Sequence, residues 1–234
     1  MTGPRRWGYR LFGRAFDYVL HLRPAEWPIM AGHTALGSLL ALTAGGGSLQ
    51  HGPGTTLAPV VAGLAAWVVC LNGGTLAINS AVDQDEGDVA YLRSPPPPPK
   101  GLFAFGLALM AVGQAIALTL SRGYAMAYAI CFILSVLYSV PPFRLKAVAG
   151  ADWLINMWGF GTLTPYAGWA ATGRPLTAGA GLLLLGFCPL FAALYPLTQL
   201  YQMEEDRRRG DRTLALRLGL TRSLAVAIAC ALVA

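Results

Sequence analysis

"PVVAGLAAWVVCLNGGTLAINSAVDQDEGD", residues 59–88, stays mostly apolar as far as Val82 and then places four carboxylates, Asp83, Asp85, Glu86 and Asp88, within six positions. An α-helix crosses the roughly 30 Å hydrocarbon core of a bilayer in about 20 residues, so the apolar part is long enough to span. Around it, apolar runs of similar length are predicted at 27–46, 56–80, 101–121, 123–142, 152–172 and 177–200, with a seventh opening near Ser223 and cut at Ala234. With 55% hydrophobic and 12% charged residues in 234 and a mean hydropathy of +0.52, the chain reads as an all-α, polytopic transmembrane bundle of six complete helices and a partial seventh. The basic N-terminus is followed by a long run without a convincing cleavage site, so the first helix is expected to stay in place. Cys70, Cys131, Cys188 and Cys230 all fall inside apolar runs without metal-ligand spacing, which predicts packing rather than a disulfide framework. His33 lies alone within the first run and receives no role.

Charge orients the bundle. Of 17 basic residues, 15 fall before the first run, between runs two and three, between four and five, or after run six; only Arg122 and Arg174 fall in alternate loops. That asymmetry predicts a cytoplasmic N-terminus and cytoplasmic even-to-odd loops, in a membrane of the bacterial inner-membrane type. Eight acids, Asp83, Asp85, Glu86, Asp88, Glu204, Glu205, Asp206 and Asp211, keep to the same side. The net charge of +6 suits contact with anionic lipid, and nothing calls for nucleic acid.

Two acidic clusters at one membrane face suit Mg²⁺, which binds through one or two carboxylates plus ligand phosphates. Asn79 and Asp83 are four apart and share a helical face, whereas Asp88 joins them only if the helix breaks near Gly87. Gln199, Gln202 and Asp206 follow i, i+3, i+7 spacing with Glu205 adjacent. Arg144 and Lys146, in "YSVPPFRLK", offer a guanidinium fork and a point charge to phosphate oxygens.

These residues resemble the UbiA superfamily of intramembrane prenyltransferases. "LRPAEW" is similar to that family's LRPxxW, "NSAVDQDEGD" to its NDxxDxxxD, "RSPPPPPKG" stands where it often has RPxPxG, "YSVPPFRLK" matches YSxPPxRLK, and "GDRTLALRLG" matches GxRTLAxxLG. The resemblance implies Mg²⁺-dependent transfer of a prenyl group from a prenyl diphosphate to a lipophilic, aromatic or other lipid acceptor within the membrane, by a single domain over residues 1–234. On this reading Asn79, Asp83, Asp88 and Asp206 are catalytic. The metal ligands would be Asn79, Asp83, Asp85, Asp88, Gln202, Glu204, Glu205 and Asp206. Substrate would be gripped by Arg144, Lys146, Arg23, Tyr138, Asn156 and Arg93. The chain departs from the pattern at Ser80, where the family has Asp, at Gly87, with the last acid displaced to Asp88, and at Gln199 and Gln202, where aspartates are common. The family's last two helices have no counterpart, so the resemblance implies a C-terminally incomplete chain. A non-catalytic prenyl-lipid-binding relative is the alternative. A small transporter fits less well, because the centres of the apolar runs are almost free of ionisable residues. Trp153, Trp158, Phe160, Tyr166 and Trp169 are candidates for the wall of a prenyl channel.

Overall fold

The computed structural model describes residues 3–44, 57–84, 87–90 and 92–234. The predicted helix ends at 45, 46 and 56, and the acids Asp85 and Glu86, lie outside the described residues. Among the described residues the regular structure is helical, joined by turns and extended connectors and without strands. Two short N-terminal helices, α1 (Gly3–Phe12) and α2 (Phe16–His21), precede α3 (Trp27–Thr43), α4 (Ala58–Asp83), α5 (Leu102–Leu118), α6 (Arg122–Ser139), α7 (residues 151–171), α8 (Ala178–Arg209) and α9 (Leu214–Val233). Of these, α4, α6, α8 and α9 are long and apolar enough to cross a bilayer. They expose Leu182, Ile228, Leu232, Met126 and Ile133 on their outer faces, the side chains expected to meet lipid.

The helix ends follow local chemistry. Ser121 and Thr177 cap α6 and α8 by accepting from the backbone N–H of Tyr124 and Ala180 at 3.1 and 3.2 Å. Gly210, at φ +77°, ends α8. Two expectations are corrected here. The break after α4 comes at Gln84, which takes the left-handed conformation (φ 51°, ψ 44°), rather than at Gly87. The last helix begins at Leu214, nine residues before Ser223, because Gly219 (φ 73°, ψ 174°) interrupts it and lets a short first turn fold against α8.

Close helix contacts depend on missing side chains. A methyl group on Gly37 of α3 would lie 1.7 Å from the Pro165 carbonyl oxygen of α7, and one on Gly168 of α7 would lie 1.8 Å from the Thr34 carbonyl oxygen. The two backbones therefore touch, and Ser38 donates to the Gly168 carbonyl across the seam at 2.7 Å. Trp67, Met110, Tyr124 and Tyr128 fill the centre between α4, α5 and α6. Their polar tips are satisfied: Tyr124 donates to the Gly63 carbonyl at 2.7 Å and Tyr128 to the Met110 carbonyl at 3.1 Å. Two helices widen into π turns, at Ala66–Gly73 in α4 and Met157–Leu163 in α7.

The connector carrying Pro95–Pro99 is held down by the N-terminal helices. Arg5 donates to the carbonyls of Arg93 and Ser94, Tyr18 donates to the Lys100 carbonyl at 2.6 Å, and His21 Nε2 meets the Pro96 carbonyl at 3.1 Å. A proline run has carbonyls but no N–H donors of its own; His21 meets one of them, at Pro96, while Arg5 and Tyr18 hold the residues that flank the run.

Candidate active site

A cavity of about 550 Å³ opens among α3, α4, α6, α7 and α8, within the size range of ligand sites. Its loop end is ionic. Asp83, at the C-terminus of α4, has only 5% of its side chain exposed and pairs with both Arg144 (3.4 Å) and Lys146. Lys146 also donates to Asn79 Oδ1, so the predicted i, i+4 pair is joined by one ammonium. Arg144 reaches in the other direction to Asp211. The loop that carries both cations is fixed by a backbone bond from Arg212 N–H to the Ala147 carbonyl at 2.9 Å, which docks it on the segment after α8. Arg144 thus stands between carboxylates that are 128 residues apart in sequence.

Backbone strain gathers at this end. Arg23 (φ 49°), Gln84 (φ 51°) and Arg144 (φ 37°) all take left-handed conformations that side chains disfavour. Such strain persists only where surrounding contacts hold it, and it concentrates at functional sites. Arg23 also approaches the Ser80 hydroxyl at 3.5 Å, so the residue standing at the family's Asp position faces a guanidinium.

The other predicted residues divide. Asp206, Gln202, Glu205, Tyr138, Asn156 and Arg23 line the cavity together with Asn79, Asp83 and Lys146, and Arg144 reaches it through its pairs with the lining acids Asp83 and Asp211. Asn156 donates to the Asp152 carbonyl at 2.8 Å, and the Tyr138 hydroxyl meets that of Tyr195 at 2.6 Å. Three predicted residues lie elsewhere. Asp88 is exposed and accepts from the Ser94 N–H at 2.7 Å, closing a turn in the connector. Arg93 is exposed beside that turn, with its carbonyl taken by Arg5. Glu204 is exposed and pairs with Arg207 and Arg208; two residues from Asp206 is about 200° round a helix, so it points away from the cavity.

Gln199 has a different task from the one its position in the motif suggests. It is buried and donates to Asp152 Oδ2, while its own oxygen accepts from the Ala215 N–H at 3.2 Å. Asp152, fully buried, also accepts from the N–H groups of Gly150 and Trp153 at 2.8 Å and of Leu214 at 2.9 Å. The pair therefore ties α7 and α8 to the start of α9 and satisfies backbone donors that would otherwise be orphaned. A second carboxylate at 199 could not donate to Asp152, which accounts for the amide.

Asp211 went unpredicted as a site residue, although it stands in "GDRTLALRLG". The deeper cavity is apolar and aromatic. His33 stacks on Phe191 (4.9 Å, 7°), and Phe191 on Phe160 (6.4 Å, 8°). Of the predicted channel aromatics, Phe160 lines the cavity. Trp153 and Trp169 spend their indole N–H groups on the carbonyls of Ala192 and Arg174, Tyr166 packs against core residues, and Trp158 is exposed.

A sequence model of the UbiA prenyltransferase family matches residues 34–234. No match was found among curated proteins. Among solved structures, the chain is similar to a UbiA homolog from Archaeoglobus fulgidus bound to DMAPP and Mg²⁺, with 23% identity, a TM-score of 0.77, and 93% of this chain and 75% of that one covered. The same homolog bound to GPP and Mg²⁺ matches with 22% identity and a TM-score of 0.77 over the same shares. These likenesses show the fold.

Proposed function

Since the chain belongs to the UbiA prenyltransferase family, we propose that this membrane protein transfers a prenyl group from a prenyl diphosphate to a lipophilic acceptor, with the diphosphate held at the loop end of the cavity. The observation that carries the reading is the Asp83–Arg144–Asp211 bridge at the mouth of a cavity whose inner wall is apolar and aromatic. The binding of prenyl diphosphates by the Archaeoglobus homolog supports it.

The donor set fits Mg²⁺. Asn79, Asp83, Gln202, Glu205, Asp206 and Asp211 present hard oxygen atoms to one cavity, while no three His, Cys, Asp or Glu side chains among the described residues are grouped tightly enough to cage an ion unaided. Mg²⁺ is ordinarily held in this way, by a few carboxylates completed by phosphate and water. Asn79 and Asp83 would hold it on one side, and Asp206 with Gln202 on the other. Bound there, it would supply positive charge against the departing diphosphate.

Arg144 and Lys146 would exchange carboxylate partners for phosphate oxygens as the donor enters. Fixed cations facing the oxygen on which charge develops lower the barrier to breaking the allylic C–O bond, whose electron pair leaves with diphosphate. The allylic carbon then takes an electron pair from the acceptor, which releases a proton. Phe160 and Phe191 would shield the electron-poor fragment from water and present ring faces to it. On the charge asymmetry of the loops, the ionic end faces the cytoplasm.

The test is to incubate the purified chain with radiolabelled geranyl diphosphate, Mg²⁺ and a membrane-lipid extract. Label passing into the lipid phase is expected. Saturable binding of the diphosphate without any labelled lipid would instead indicate a non-catalytic prenyl-lipid-binding protein.

A further inference from the structure

Beyond Asp83 and Lys146, next to Arg23, the cavity wall carries a second polar pair, Glu26 and Asn72. Asn72 sits in the π turn of α4, a distortion that shifts which side chains face inward and that recurs at functional sites. It is 6% exposed, yet its Nδ2 has no hydrogen-bond partner. An unpaired buried donor is costly, and a ligand that accepts from it removes that cost. Glu26, just before α3, is beside it. Burial raises the Glu26 carboxyl above its ordinary pKa, against the opposing pull of the Arg23 charge and of the Asn72 side chain, whose approach falls short of hydrogen-bond geometry.

The pair has a definite chemical preference. A carboxylate only accepts, and the unpaired amide N–H only donates, so one group that both donates and accepts satisfies the two together. A hydroxyl does this. A ligand carboxylate would meet Glu26 as a like charge in a poorly solvated wall, and Arg23, whose charge Glu26 already draws on, offsets only part of that repulsion. Asn72 lies seven residues before Asn79, roughly 10 Å along a regular helix. A molecule anchored here therefore extends about two rings' length toward the ionic end.

We propose that Glu26 and Asn72 form the acceptor's anchoring subsite and select an uncharged, elongated lipophilic acceptor through a hydroxyl group, in preference to one bearing a carboxylate. The proposal rests on the prenyl-transfer reading for its use of the word acceptor, but the subsite can be tested without turnover.

The probes are 2-naphthol and 2-naphthoate, titrated by fluorescence into the full chain in detergent, with calorimetric binding of geranyl diphosphate and Mg²⁺ measured on the same samples. The unaltered chain should bind naphthol at least about tenfold more tightly than naphthoate, since a lost hydrogen bond to a charged group is worth roughly that factor. Asn72→Leu should weaken naphthol by about tenfold, and Glu26→Gln should shrink the preference to within about threefold. Both variants should bind geranyl diphosphate within about twofold of the unaltered chain, which also shows that they are folded. His33→Phe, deeper on the same face of α3, should leave naphthol binding unchanged. Equal affinity for the two probes, no naphthol binding, or a loss in His33→Phe that matches Asn72→Leu would overturn the subsite. Failure of geranyl diphosphate to bind the unaltered chain would sink the transfer reading instead, leaving the naphthol comparison to stand or fall by itself.

Discussion

Asp83 and Asp152 are both buried carboxylates toward the loop end of the bundle, and they are held in opposite ways. Asp152 accepts from three backbone N–H groups and from Gln199, all fixed by helix ends, so its oxygens have nothing left to offer a ligand. Asp83 is neutralised by the tips of two long side chains, Arg144 and Lys146, which also touch Asp211 and Asn79. Backbone donors cannot leave without unfolding a helix end, whereas a guanidinium and an ammonium can turn to a phosphate at the cost of a few rotamers. Burial alone does not distinguish a working acid from a structural one; the mobility of its partners does.

The largest expected effect falls on the closed node. Gln199→Glu puts a second carboxylate against Asp152 where the amide donated, and unfolding should become easier by about 3–5 kcal/mol, as for other buried charges left uncompensated. Thermal denaturation in detergent reads this directly, and an unchanged midpoint would erase the distinction between the two acids. Next comes Asp83→Asn, which keeps shape and removes charge at the mobile node. Diphosphate release from geranyl diphosphate should drop by about 10²- to 10³-fold, the scale of losing one electrostatic element of an active site, with the melting midpoint nearly kept. Full activity in that variant would make the ionic end a solvated helix terminus.

A smaller effect is expected from Arg144→Ala, about 10- to 100-fold weaker binding of geranyl diphosphate by calorimetry, the worth of a charged hydrogen bond. Arg122→Ala removes an equal charge at the far end of α6 and should leave affinity alone; equal losses in both would mean that bulk charge is being measured. The smallest change should follow Gln202→Asp, which adds an anion to the face that presents Asp206. The Mg²⁺ concentration for half-maximal activity should stay level or fall by about threefold, and a clear rise would remove residue 202 from the ion's surroundings.

The spans were legible because hydrocarbon thickness imposes length and apolarity on each helix, and the Asn79–Asp83 face followed from spacing alone. Of the two cations of "YSVPPFRLK", Lys146 lines the cavity, and Arg144 pairs with two acids that line it. What escaped was decided by partners distant in sequence. Gln199 looked like a weakened ligand until its contact with Asp152, 47 residues away, was visible. Asp88 looked like a motif acid, but α4 ends at Gln84 and leaves it closing a turn. Asn72 stands seven residues before Asn79, on nearly the same helical face, but a lone amide inside an apolar run gave no sign of a polar partner until Glu26 was seen beside it.

The clasp on Asp83 also bears on how the chain enters a membrane. Lys146 follows Asp83 by 63 residues, roughly 3–13 s of synthesis at 5–20 residues per second. For that interval the acid at the end of α4 lacks both cations that later neutralise it, and an uncompensated carboxylate resists passing into hydrocarbon. The same side chain that serves the finished cavity would hold the end of a newly made helix in water, so that α4 stops at its proper depth before α5 and α6 have been made.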